Sequence, residues 1–180
     1  MRSPEFDRAL RQLAEGQHLV VSRGQALELG ATGAMLARRV HAGEWRVVGR
    51  RCLVLSGAPE TFELRCMVAV LDAGRGAAVS RLGAAALWGL PGFDEPGEVE
   101  VTRSRDKPHE RSRTVVAHEP LLFPLAHRSR ARGVPVTTVA RTIFDLAGFL
   151  HPHRVERALD NALAHKRTNL GRCTRWARSS

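Results

Sequence analysis

Apolar side chains recur three and four residues apart over Pro4–Glu15, with Phe6, Leu10 and Leu13 on one stripe, and this spacing predicts an amphipathic helix. Ser3 stands as its N-cap, Pro4 takes the first helical position and Gly16 closes it. The run His18-Leu19-Val20-Val21 is apolar but too short for a helix. Ser22 caps a second helix over 23–29 with Leu27 inward, and Gly30 breaks it. Thr32 caps a third helix that runs to about residue 42, where Gly43 stops it. Two β-prone runs follow, Trp45–Val48 and Cys52–Leu55, joined by the tight basic turn Gly49-Arg50-Arg51. After the short linker Gly57-Ala58-Pro59 the pattern becomes mixed. Helices are expected over 60–73, from Ser80 to about 90, over 139–149 and over 151–165; strands are expected over 77–79, 98–102, 114–117 and 134–137. The predicted class is therefore α+β: an N-terminal unit over 1–56, a mixed α/β unit over 57–165, and a basic tail over 166–180 that is expected to be disordered.

Helix, helix, helix and then a basic hairpin is the order of a winged helix-turn-helix. In the third helix Leu36 and Val40 face the core, with Met35 or Ala34 at the edge. Gly33, Ala37, Arg38 and His41 are left near the outer side, and Arg39 at the flank. The N-terminal half of this helix is built of Thr32, Gly33, Ala34 and Ala37, which are small and poor in donors, so phosphate contacts and modest base readout are expected. The candidate DNA-binding set is Thr32, Arg38, Arg39, His41, Arg46, Arg50 and Arg51. Trp45 is expected to pack the hairpin onto the helices.

Charge sharpens this picture. The 180 residues hold 28 Lys+Arg against 18 Asp+Glu, a net charge of +10, and all but Lys107 and Lys166 of the basic residues are arginine. Residues 1–56 carry 9 basic and 5 acidic groups (net +4), residues 57–150 carry 12 and 11 (net +1), and residues 151–180 carry 7 and 2 (net +5). Arginine binds phosphate as a two-pronged donor, so a polyanion partner, double-stranded DNA, is expected at the N-terminal end with the tail as an auxiliary.

Other chemistry finds little support. The apolar stretches 67–71 and 83–90 fall well short of the ~20 residues that a membrane helix needs. The start Met1-Arg2-Ser3-Pro4-Glu5-Phe6-Asp7 lacks a secretory core, and Cys52, Cys66 and Cys173 form no C-x-x-C pair. A reduced, cytoplasmic setting is expected, with no metal and no cofactor. His118, His127, His151 and His153 lack ligand spacing; Gly74-Arg75-Gly76 is a lone break and not a phosphate loop. Glu98 and Glu100 share one face of a strand and read as its solvated side; with Asp106 and Lys107 they make no nuclease cluster. No enzyme activity is expected.

Two stretches carry a resemblance. The segment Ser80-Arg81-Leu82-Gly83-Ala84-Ala85-Ala86-Leu87-Trp88-Gly89-Leu90 resembles a helix motif of AbiEi-family antitoxin-like proteins of actinobacteria. So does Val134-Pro135-Val136-Thr137-Thr138-Val139-Ala140-Arg141-Thr142-Ile143-Phe144-Asp145-Leu146-Ala147, and Gly43-Glu44-Trp45-Arg46-Val47 fits the same family. Over roughly residues 5–165 the resemblance implies the antitoxin of a type IV toxin–antitoxin system, whose winged helix represses its own promoter. Its functional partner would be a nucleotidyltransferase-like toxin. Relatives carry a histidine where Arg81 stands, and many continue into an endonuclease-like domain that this chain does not reach. Two alternatives stay open: a protein-interaction module, and a truncated remnant of a longer protein with that endonuclease-like domain.

Overall fold

The computed structural model describes residues 4–105, 115–169 and 171. Ser3, Thr114, Asp106 and Lys107, and in the tail Arg172, Cys173, Arg175, Trp176 and Arg178, lie outside the described residues, as does the expectation of disorder for most of the tail.

The fold is α+β, with seven α-helices and two sheets among the described residues. The chain runs through α1 (Pro4–Glu15), β1 (Val20–Ser22), α2 (Arg23–Glu28), α3 (Gly33–His41), β2 (Trp45–Val48) and β3 (Cys52–Leu55). It continues through α4 (Phe62–Ala73), β4 (Ala78–Val79), α5 (Arg81–Trp88), β5 (Glu100–Thr102) and β6 (Val116–His118). A 3-10 turn over Leu125–His127 then leads to β7 (Arg128–Ala131), β8 (Val134–Thr137), α6 (Val139–Ala147) and α7 (Pro152–Ala164).

Local chemistry sets the helix starts. Ser22 Oγ accepts from the Gln25 amide at 3.1 Å, and the Gln25 side chain accepts from the Ser22 amide at 2.8 Å. This reciprocal pair satisfies two donors that the helix itself cannot. Thr32, Thr61 and Thr138 cap α3, α4 and α6 through their hydroxyls.

The apolar run at 18–21 resolves into β1, which pairs antiparallel with β3 to give a three-stranded sheet in the order β1-β3-β2. Side-chain alternation gives this sheet two buried faces. Val21, Leu53 and Trp45 join Phe6, Leu10, Ala26 and Leu36 beneath α1, α2 and α3. Val20, Cys52 and Val54 face the other way, into the core around α4.

The second sheet is mixed, in the order β6-β5-β4-β8-β7. β4 lies parallel to β8 and β5 to β6; β4 with β5 and β7 with β8 are antiparallel. β7 is an addition to the sequence expectation, because Arg128-Ser129-Arg130 carries no β-branched residue. Its strand character comes from the turn at Arg132-Gly133, whose φ angles of +48° and +79° suit a tight two-residue hairpin. A strand edge made of arginines also resists pairing with another chain.

Helix α4 is the hub. Phe62, Leu64, Cys66, Met67, Ala69, Val70 and Ala73 are buried around its whole circumference, as expected of a helix enclosed on all sides. One side meets Val20, Cys52 and Val54 of the first sheet; the other meets Val79, Val101, Val134 and Val136 of the second. A third cluster joins α5, α6 and α7 through Ala85, Ile143, Leu146, Ala158 and Ala162.

One polar residue sits in the last turn of α4. Asp72, 3% exposed, accepts through Oδ1 from the amides of both Arg50 and Arg51 at 2.9 Å each. The turn between β2 and β3 is therefore fastened to α4 by a carboxylate. Gly49 opens that turn at φ +61°, and a Cβ there would stand 3.1 Å from Asp72 Cγ. Asp72→Ala leaves two amides without this acceptor, and a loss of about 2–4 kcal/mol is expected. Asp72→Asn keeps an acceptor oxygen and should lose about 1 kcal/mol. Urea unfolding of both variants measures the difference; equal stability of Asp72→Ala and the parent would rule the clamp out.

Candidate nucleic-acid interface

Helix α3 is presented by the packing of Leu36 on the α1–α2 core and by one buried ion pair. Arg39 is 4% exposed. Its Nε and Nη2 both donate to Asp7 Oδ1, the former at 2.9 Å, and its Nη1 donates to the Met35 carbonyl at 3.2 Å. The guanidinium carbon lies 4.9 Å from the Phe6 ring centroid, a cation–π contact. Arg39 is thus a strut between α3 and α1, and not the flanking phosphate contact that the helical wheel assigns.

The opposite face of α3 is open. Thr32 is exposed and its Oγ1 accepts from the Met35 amide at 3.2 Å, so the hydroxyl acts first as a cap. Gly33, Ala34 and Ala37 are exposed, and nothing lies within 4 Å of a Cβ built on Gly33. Arg38 and His41 are exposed on the same helix, and the Arg38 side chain forms no hydrogen bond or ion pair among the described residues. The small helix start and the arginine after it are brought together as the spacing indicates.

The hairpin behaves differently. Trp45 packs among the helices of the N-terminal unit, whereas Val48 packs with the α4 core. Arg46 alternates with Trp45 and shares the face of Val48, so it leaves the sheet on the side away from α3. There its Nη2 pairs with Glu60 Oε1. Arg50 is exposed and Arg51 partly buried, but their amides are bound to Asp72. Of the seven predicted residues, the structure gathers Thr32, Arg38 and His41 on α3, encloses Arg39, turns Arg46 aside and ties the Arg50-Arg51 turn to α4.

A second polar group was not legible as such. Glu100, read in the sequence as the solvated side of a strand, is partly buried: its Oε2 meets His118 Nε2 at 2.5 Å and Arg81 Nη1 at 3.3 Å. Arg81 adopts φ +52°, an uncommon conformation for a residue with a side chain, and stacks 4.9 Å from the Phe149 ring centroid. Nearby, Arg141 Nε donates to Asp145 Oδ1 at 2.7 Å, and burial raises the Asp145 pKa against the opposing pull of Arg141. The parallel pairing of β5 with β6 places Glu100 and His118 on one face, a relation that strand pairing sets and no local sequence pattern announces. Ser80 beside this group is fully buried, so its hydroxyl is closed to an incoming carbonyl or phosphate. Burial pushes the Cys52 and Cys66 thiols up to about 12, far from reactive thiolates. Among the described residues no three His, Cys, Asp or Glu side chains are placed to hold a metal ion, and no helix is long and apolar enough to cross a membrane.

No family model matches the chain, and no curated protein matches it. Among solved structures it is similar to the RV2827C protein from Mycobacterium tuberculosis, at 16% identity over 88% of this chain and 72% of that chain, with a TM-score of 0.43.

The contrast between neighbouring arginines is directly measurable. Arg39→Ala removes an ion pair between a buried arginine and the half-buried Asp7, together with a ring contact, and should cost about 1–3 kcal/mol. Arg38→Ala should stay within about 0.5 kcal/mol of the parent. Chemical denaturation midpoints of the two variants test this; a loss of equal size at both positions would contradict it.

Proposed function

We propose that the chain is a DNA-binding transcriptional regulator whose N-terminal unit acts as a winged helix-turn-helix. In this reading α2 and α3 are the helix pair and β2–β3 the hairpin, and the chain is the antitoxin of a type IV toxin–antitoxin system that represses its own promoter. The observation that carries the DNA reading is the outward face of α3: a capped start built of Gly33, Ala34 and Ala37, followed by the exposed Arg38 and His41. Small side chains let a helix approach a groove closely, and a cation one turn on reaches the phosphates beside it. The antitoxin role draws its support from the two AbiEi-like stretches at 80–90 and 134–147.

Phosphate contact without rich base readout implies strong salt dependence. With two to four phosphates neutralised, the log–log slope of affinity against salt is expected between about −1.8 and −3.6. Fluorescence anisotropy with duplex from the region upstream of the chain's own gene measures it. Arg38→Gln should make the slope shallower by about 0.9 and weaken binding to all sequences alike. Absent binding at low ionic strength, or binding indifferent to salt, would defeat the proposal.

One observation favours protein interaction as a second reading. Leu121, Leu122 and Leu125 are 83%, 67% and 79% exposed, a local concentration of bare apolar side chains on the second unit. A toxin or other partner docking there would leave DNA affinity unchanged in Leu121→Ser and Leu125→Ser, whereas Arg38→Gln would spare the partner.

A further inference from the structure

A cavity of about 780 Å³ opens between α2 and the segment joining α4 to β4, within the size range of small-molecule sites. Arg23, Arg51, Arg75 and Arg128 line it, with Glu28 as the one acidic residue in the lining. Part of its wall is apolar, formed by Leu27, Leu71 and Pro135. Glu28 neutralises Arg75, which leaves Arg23 and Arg128 as the lining arginines that an anion entering the cavity would meet.

Arg128 is held in place before any ligand arrives. Its Nη2 donates to the Phe123 carbonyl at 2.7 Å, and its guanidinium carbon lies 4.7 Å from the Phe123 ring centroid. Its Nε is buried and has no hydrogen-bond partner among the described residues. Gly76, at φ +87°, makes room for it, since a Cβ there would stand 2.8 Å from Arg128 Nη1. Arg23 is exposed, and its side chain forms no hydrogen bond or ion pair among the described residues. Arg75 pairs with Glu28 at 2.6 Å, and both are largely exposed, so this pair lies on the solvent side.

We infer that this cavity binds a phosphorylated small molecule with a flat or apolar body, of the nucleoside polyphosphate class. The phosphates lie against Arg23 and Arg128, and the body covers Leu27, Leu71 and Pro135. Guanidinium forks match phosphate oxygens in pairs, whereas the apolar wall gives nothing to a bare phosphate. The inference does not use α3, but Arg23 and Leu27 lie on α2 of the unit proposed to bind DNA, so the two readings are separated by the duplex titration below.

Calorimetric titration of the full chain with ATP and with inorganic pyrophosphate tests it. One ATP is expected to bind per chain, with pyrophosphate weaker because it leaves the apolar wall bare. Arg23→Gln and Arg128→Gln should each weaken ATP binding about tenfold or more, while Arg38→Gln changes it less than about twofold. Arg23 is exposed, so that variant keeps the test valid even if Arg128→Gln unfolds. Absent ATP binding, pyrophosphate binding as tight as ATP, or equal losses at Arg23 and Arg38 would overturn the inference. In a parallel titration with a short duplex, lower DNA affinity in Arg23→Gln with ATP binding unchanged would make the cavity part of a nucleic-acid track and would also overturn it.

Discussion

The arrangement of this molecule depends on a carboxylate at the end of an enclosed helix. α4 has apolar residues on every side because two sheets close over it, and only the last turn offers a buried acceptor. Asp72 there binds the amides of Arg50 and Arg51, so the hairpin turn cannot swing independently of α4. A buried carboxylate without donors would be strongly unfavourable, and the turn amides supply them. The same bond decides where the hairpin's charges go. With the turn fastened to α4 and Arg46 paired with Glu60, the basic hairpin leans toward the second unit, leaving α3 as the cleaner candidate for a groove.

A second ion pair sets the attitude of α3. Arg39 and Asp7 join α3 to α1, and the Phe6 ring supports the guanidinium from one side. Fixing that face inward fixes the other outward, which is why Gly33, Ala34, Ala37 and Arg38 are all exposed. The buried pair and the open face are thus two consequences of one helix rotation. His18 adds a tie between the two units, its Nε2 donating to the Arg132 carbonyl at 2.8 Å.

Much of this was legible in the chain. The periodicities of α1, α6 and α7 and the runs of β2 and β3 located those elements, because each buries one continuous stripe or alternates across a sheet. The short run at 18–21 does not announce a strand because its partner lies far along the chain, Val54 for Val20, whereas β7 pairs locally, Ser129 with Val136, but carries arginines where β-branched residues would mark a strand. The local pattern is equally silent on the burial of Arg39. It stands three residues after Leu36 and so shares the inward face, but its charge argued for solvent. Only the distant Asp7 makes its burial tolerable, and no local pattern announces a partner 32 residues away. Glu100 follows the same logic, its environment being set by His118 and Arg81 across the sheet.

The abundance of arginine therefore has two physical meanings. Several are fasteners: Arg39 with Asp7, Arg103 with Glu119 and Arg132 with Glu63 join separate parts of the chain through a carboxylate, and Arg141 with Asp145 braces one turn of α6. Such pairs neutralise one cation for each anion and leave the net charge of +10 untouched. The excess must then reside on arginines without a carboxylate, and Arg38 and Arg23 are two of these, on different helices. Arg38 faces solvent on α3 and Arg23 faces the cavity beside α2. An anion as long as a duplex suits the first setting and a compact one suits the second, because a convex helix face accepts an extended partner whereas a concave space of limited volume selects by size.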